Sequence, residues 1–111
     1  QKEDSLITGP YQPEAVEMFD AVKGNTSSDD TVVFIKPRVM ALFTERNSMT
    51  NHPAQDEQQL RQDFQKLNPD LFVVSNDLPN PALERYIAGC GDMLSEIFSN
   101  SRFKVYKPLN K

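Results

Sequence analysis

The chain has 111 residues, 38% of them hydrophobic and 25% charged, and its 12 basic and 16 acidic side chains give a net charge of −4. A chain of this length is one globular domain able to bury a real core without staples. The acidic balance argues against a nucleic-acid binder, and no block of Lys and Arg is large enough for an anionic lipid surface.

No apolar run reaches the roughly 18 residues that would span a bilayer, and no signal-peptide pattern is present. The chain begins at Gln1 with a polar Gln-Lys-Glu-Asp-Ser stretch, which reads as the start of a piece cut from a longer protein. Residues 1–10 lack periodicity and read as a polar arm, ahead of a single α/β domain over residues 11–111.

Pro13 suits the first turn of a helix, where its missing N–H costs nothing. Ala15, Met18, Phe19 and Val22 follow at helical spacing, with Val16 widening the stripe, and Gly24 provides the stop. Asn25 to Asp30 is a polar loop. Thr31 to Ile35 is a continuous β-branched and aromatic run without alternation, so it predicts a strand covered on both faces. Pro37 ends that strand and opens a short helix whose apolar face is Val39, Met40, Leu42 and Phe43. Ser48 to Thr50 is a candidate second strand.

Asn51 to Gln55 reads as a loop, with Pro53 at a helix start. Gln55 to Leu67 is then a polar surface helix pinned by Leu60, Phe64 and Leu67, and Asn68-Pro69 ends it. Leu71 to Val74 repeats the unalternating pattern of the first strand. Asn80 is a good N-cap with Pro81 at the first helical position. Leu83, Tyr86, Ile87 and Cys90 line one helical face. Leu94, Ile97 and Phe98 continue at helical spacing after a break near Gly91. Arg102 to Lys107 alternates with period two and predicts a half-buried strand with Phe103 and Val105 facing in.

This order predicts an α/β fold: a small three-layer Rossmann-like sheet of three or four strands with helices on its faces. The two apolar strands should be parallel neighbours at its centre, joined by a right-handed crossover, with an edge strand at the C-terminus.

Lys36, Arg38 and Arg46 are the basic groups nearest the carboxyl end of the first strand, where open α/β sheets collect ligands. A helix N-terminus beside them offers free N–H groups to a phosphate or lipid headgroup. The bland reading is solvated charge at a turn, with Arg46 held by the helix C-terminus. No Gly-rich phosphate loop accompanies them, which argues against a nucleotide site.

The acidic side chains sit in polar loops and on helix surfaces, where solvation is the simpler reading than paired acid–base catalysis. Cys90, the only cysteine, falls on an apolar helical face and reads as a small buried hydrophobe, and His52 is the only histidine. Neither a metal site nor a resident cofactor is implied. Asn25-Thr26-Ser27 fits the glycosylation tripeptide, a pattern common by chance.

One passage carries a resemblance. Phe34-Ile35-Lys36-Pro37-Arg38-Val39-Met40-Ala41-Leu42-Phe43-Thr44-Glu45-Arg46, preceded by Asn25-Thr26 and followed later by Leu71 to Val74 and Phe103 to Tyr106, resembles the soluble C-terminal region of polytopic membrane glycosyltransferases. These are of the dolichyl-phosphate-mannose–protein mannosyltransferase and lipid A aminoarabinose transferase type. The family's pattern there is "K-P-R-x-L-x-L-Y-T-G-R", and Glu45 stands where the family tends to have glycine. The likeness extends over most of Pro13 to Lys107, though its sharp part is about a dozen residues.

The resemblance implies an extracytoplasmic, periplasmic domain attached to a transmembrane part of the parent chain. It would pack over a membrane-embedded active site that handles a lipid-linked sugar. The family's catalytic aspartates belong to loops outside these residues, so no catalytic residue carries over. Lys36, Arg38 and Arg46 are then the candidates for contact with a phosphate, a lipid headgroup or the parent's loops. A free-standing small α/β ligand-binding or regulatory domain is the alternative.

Overall fold

The computed structural model describes residues 13–51 and 56–109. In chain order the elements are α1 (Pro13–Gly24), β1 (Thr31–Val33), α2 (Pro37–Thr44), β2 (Asn47–Met49), α3 (Glu57–Leu67), β3 (Leu71–Ser75), α4 (Pro81–Cys90), a 3-10 turn (Gly91–Met93), β4 (Leu94–Ser99) and β5 (Phe103–Pro108). They build an α/β domain around one five-stranded open sheet of order β2-β1-β3-β5-β4. The first three of these are mutually parallel. β5 runs antiparallel to β3, and β4 antiparallel to β5.

The boundaries follow local chemistry. At the end of α1, Asn25 Nδ2 donates to Ala21 O (2.7 Å) and Thr26 Oγ1 to Val22 O (2.7 Å), which satisfies carbonyls the helix leaves bare. Asp56 caps α3 by accepting from Gln59 N at 2.8 Å, and Asn68 ends it in the left-handed conformation (φ 52°). Asn80 and Pro81 open α4. The helix expected from Gln55 thus starts at Glu57. The expected arm over residues 1–10, and His52, Pro53 and Gln55 of the expected loop, lie outside the described residues.

The two unalternating runs behave as their composition demands. β1 and β3 are parallel neighbours, with Val32 opposite Leu71 and Val33 opposite Phe72. Val32, Leu71 and Val73 face a core closed by Ala15, Met18, Phe19 and Val22 of α1 and Met40 of α2. Val33 and Phe72 face a second core closed by Leu60 and Phe64 of α3 and Ala82 and Leu83 of α4. Val32 and Val33 are both fully buried, and burying each side chain contributes about 1.5–3 kcal/mol.

β1 leads through α2 on one face to β2 on one flank. β2 returns through α3 on the opposite face to β3 on the other flank. Reversing both direction and face gives the two crossovers the same hand.

Four expectations need correction. The sheet has five strands and is mixed. The C-terminal strand β5 is not an edge: it lies between β3 and β4, although Phe103 and Val105 do face the α1 side as expected. Leu94, Ile97 and Phe98 belong to a strand, not a helix. Gly91 stops α4 with φ 56° and ψ −122°, a positive-φ backbone that suits glycine. Lastly, Val16 (42%), Leu42 (73%) and Leu67 (54%) are exposed, so the apolar stripes of α1, α2 and α3 are narrower than their spacing suggested.

Candidate functional site

The carboxyl ends of β1, β2 and β3 lie at one edge of the sheet, and the chain leaves β1 and β3 in opposite directions. In open α/β sheets this switch point leaves a crevice that ligands use. A cavity of about 250 Å³ lies there, walled by Ile35 after β1, Thr50 and Asn51 after β2, and Pro79, Asn80 and Pro81 after β3.

Two buried carboxamides hold the crevice together. Asn51 Nδ2 donates to Asn80 Oδ1 at 3.1 Å, and Asn80 Nδ2 donates back to Asn51 Oδ1 at 2.7 Å. They are only 7% and 8% exposed. Asn80 Oδ1 also accepts from Leu83 N (3.4 Å), and Asn80 N donates to Glu84 Oε2 (3.1 Å). One residue therefore caps α4 and ties β3's outgoing loop to β2's, a reciprocal arrangement related to the capping box. The sequence marked Asn80 as a cap. Nothing in it pairs two residues 29 positions apart.

Lys36 and Arg38 open α2 at this same end. Both are exposed, and neither side chain pairs with another described residue. Lys36 occupies the N-cap position, supplies no side-chain cap and is followed by Pro37. The Arg38 and Val39 N–H groups of the first turn therefore have no capping side chain. Two cations beside an uncapped helix start form an electropositive corner suited to an anion.

Arg46 is placed differently. Its Nε donates to Thr26 Oγ1 (2.9 Å), Nη1 to Thr44 O (3.0 Å), and Nη2 to both Lys23 O (3.3 Å) and Thr26 O (3.1 Å). The guanidinium ties the end of α2 to the loop leaving α1. The structure therefore brings Lys36 and Arg38 together at one corner and sets Arg46 in a separate clasp. Just before it, Glu45 takes a left-handed conformation (φ 57°, ψ 34°), its N–H donating to Ala41 O.

Several acidic side chains serve backbone donors. Asp30 Oδ2 accepts from Ser27 N (3.0 Å) and Asp70 Oδ2 from Thr31 N (2.8 Å). Asp77 pairs with Arg102 at 2.8 Å. Cys90 is half-buried at a groove beside Tyr86. Burial first, and then the hydrogen bond with the Cys90 thiol, push the Tyr86 phenol up to about 12. Among the described residues no group of three or more His, Cys, Asp and Glu is placed to hold a metal, and no helix is long and apolar enough to cross a membrane.

Comparison with protein-family models finds none that matches the chain, and comparison with curated proteins finds no match either.

Proposed function

We propose that this chain is a non-catalytic, extracytoplasmic α/β domain of a membrane-bound glycosyltransferase that uses a lipid-linked sugar. In this reading it sits over the membrane-embedded active site of its parent. The observation that carries the reading is how the transferase-like passages relate in space. Asn25-Thr26 and Lys36 to Arg46 lie apart in sequence, yet Arg46 bonds Thr26 through both its hydroxyl and its carbonyl.

The position where such transferases tend to have glycine is the one that adopts a left-handed backbone here, at Glu45. A pattern of Lys-Pro-Arg, a helix, then Gly-Arg is what this geometry asks for: a helix opened by proline, closed by a left-handed residue and clasped by arginine. Replacing Glu45 by glycine should therefore stabilise the chain by about 0.5–1 kcal/mol, since relief of the left-handed strain outweighs the added unfolded-state entropy. Urea denaturation measures it, and a loss of stability would remove this support.

Lys36 and Arg38 are the contacts we assign to a phosphate, a lipid headgroup or an acidic loop of the parent. In the parent enzyme, Lys36→Ser with Arg38→Ser should reduce sugar transfer about tenfold. The melting temperature of this domain should hold within about 2 °C, because neither side chain supports the fold. Unchanged transfer would remove the contact role. A parent reading frame without apolar runs of about 20 residues would remove the membrane context.

The crevice at the switch point favours a second reading, a small ligand-binding or regulatory domain. In that case an anionic ligand would bind the isolated chain and be lost in the same double variant.

A further inference from the structure

A second hollow, of about 280 Å³, opens on the α3/α4 face between α4 and the β3–β5 strand pair. Here the sheet runs out beyond α4, so side chains of β5 that would be covered by another helix meet solvent instead. Val74 and Ile87 give it an apolar floor continuous with the second core, and Tyr106 adds a half-buried ring.

Around that floor stand Glu84, Lys104 and Asn76. Glu84 is steadied through Oε2 by the Asn80 N–H at 3.1 Å. Asn76 is held through Nδ2 by Ser101 O at 2.8 Å, and its Oδ1 accepts from no described residue. The Lys104 ammonium pairs with no described residue. Burial first, then Glu96 and Glu84, raise the Tyr106 phenol above its ordinary value.

Glu84 and Lys104 cancel within the lining and Glu96 stands beside Tyr106, so the surround is neutral to acidic, which disfavours a phosphate. Among the described residues no three metal-ligating side chains gather there. Glu84 and the Asn76 Oδ1 offer acceptors and the Lys104 ammonium offers donors beside an aromatic and aliphatic base. The volume, about 280 Å³, falls just under the roughly 300–1,000 Å³ of drug-sized sites, which suits a single ring better than a nucleotide. We propose that this hollow is a binding site for a single neutral saccharide or cyclic-polyol ring, with Tyr106, Val74 and Ile87 under its carbon face and Glu84, Lys104 and Asn76 at its hydroxyls. The assignment goes beyond the transferase reading and does not depend on it.

An NMR amide titration of the chain with methyl α-D-glucopyranoside, and separately with myo-inositol, tests it. At least one of the two should give saturable shifts at Val74, Glu84, Ile87 and Tyr106, with a Kd on the order of 1–10 mM, as expected for so few contacts. Tyr106→Ala should weaken binding at least tenfold. Lys104→Met, which changes only an exposed side chain, should weaken it at least threefold and carries the test if Tyr106→Ala does not fold. The proposal is overturned by absence of saturation up to about 100 mM for both probes, by shifts confined to Lys36 and Arg38, or by full retention of binding in Lys104→Met. Equal or larger shifts of the same amides with the zwitterion L-alanine would likewise overturn the saccharide assignment.

Discussion

Arg46→Ala should lower the unfolding free energy by about 2–4 kcal/mol. One guanidinium serves three carbonyls and one hydroxyl. Charge-assisted bonds contribute about 1.5–3 kcal/mol each when deleted singly, but four bonds from one group do not add. For a chain of this size the melting point should fall by roughly 10–15 °C. Arg46→Lys should recover little of the loss, because an ammonium cannot reach in-plane acceptors on two segments at once. Thr26→Val removes one acceptor of Arg46 and the hydroxyl's own bond to Val22 O, and should cost about 1–2 kcal/mol. The two changes should be non-additive in a double-mutant cycle, since they share a bond. Urea unfolding of the native chain, the three single variants and the double variant measures this. A loss below about 0.5 kcal/mol in Arg46→Ala would mean that water replaces the clasp, leaving the guanidinium free for the ligand role.

This expectation also separates the basic residues by what they do. Arg46 should act on stability, and any effect on a parent enzyme should track the folded fraction. Lys36 and Arg38, which touch no described partner, should act on binding at unchanged stability. The sequence grouped the three because all lie near the carboxyl end of the first strand. It could not separate them, because Thr26 and Lys23 reach Arg46 through a fold-back of 20 and 23 residues.

How far the sequence revealed the fold depends on whether one element's signal was local. β1 and β3 were legible because a strand with helices on both faces needs no polar side, so Val32-Val33 and Leu71-Phe72-Val73 show no alternation. The helix starts at Pro13, Pro37 and Asn80-Pro81 were legible from single residues whose conformational limits are severe.

β4 failed for a structural reason. Its pairing with β5 slips between Glu96 and Phe98, so Ile97 is the extra residue of a bulge. The bulge moves Leu94 to the α3/α4 side and Phe98 to the α1/α2 side. Leu94, Ile97 and Phe98 then fall three and four apart, which imitates a helical stripe. Without β4 as its outer neighbour, β5 would be an edge strand, and its period-two alternation reads as one.

The candidate site was legible in position and not in composition. The switch-point rule locates a crevice once the strand order is known, and Lys36 and Arg38 follow from chain proximity to β1. Asn51 meets Asn80, and Glu84 meets Lys104 across a hollow, only after the sheet is assembled. No periodicity or motif encodes such meetings.

Asn80→Ala is the second large effect. Three roles end together: the cap on Leu83 N, and both halves of the exchange with Asn51. Loss of the cap alone costs about 0.5–2 kcal/mol. Taking the two Asn80 bonds from the buried Asn51 amide costs about 1–3 kcal/mol more, so the sum should be about 2–4 kcal/mol. Asn80→Ser separates the two parts, because a serine can cap Leu83 N but is too short to exchange two bonds with Asn51. It should therefore retain the cap's share and lose the rest. Adding Asn51→Ala to Asn80→Ala should cost less than Asn51→Ala does in the native background, because the second deletion removes a group that had already lost its Asn80 bonds. Equal costs in both backgrounds, read from urea midpoints, would mean that the two carboxamides are stabilised independently by water. The crevice would then lack the rigid floor that links β2's exit to the start of α4.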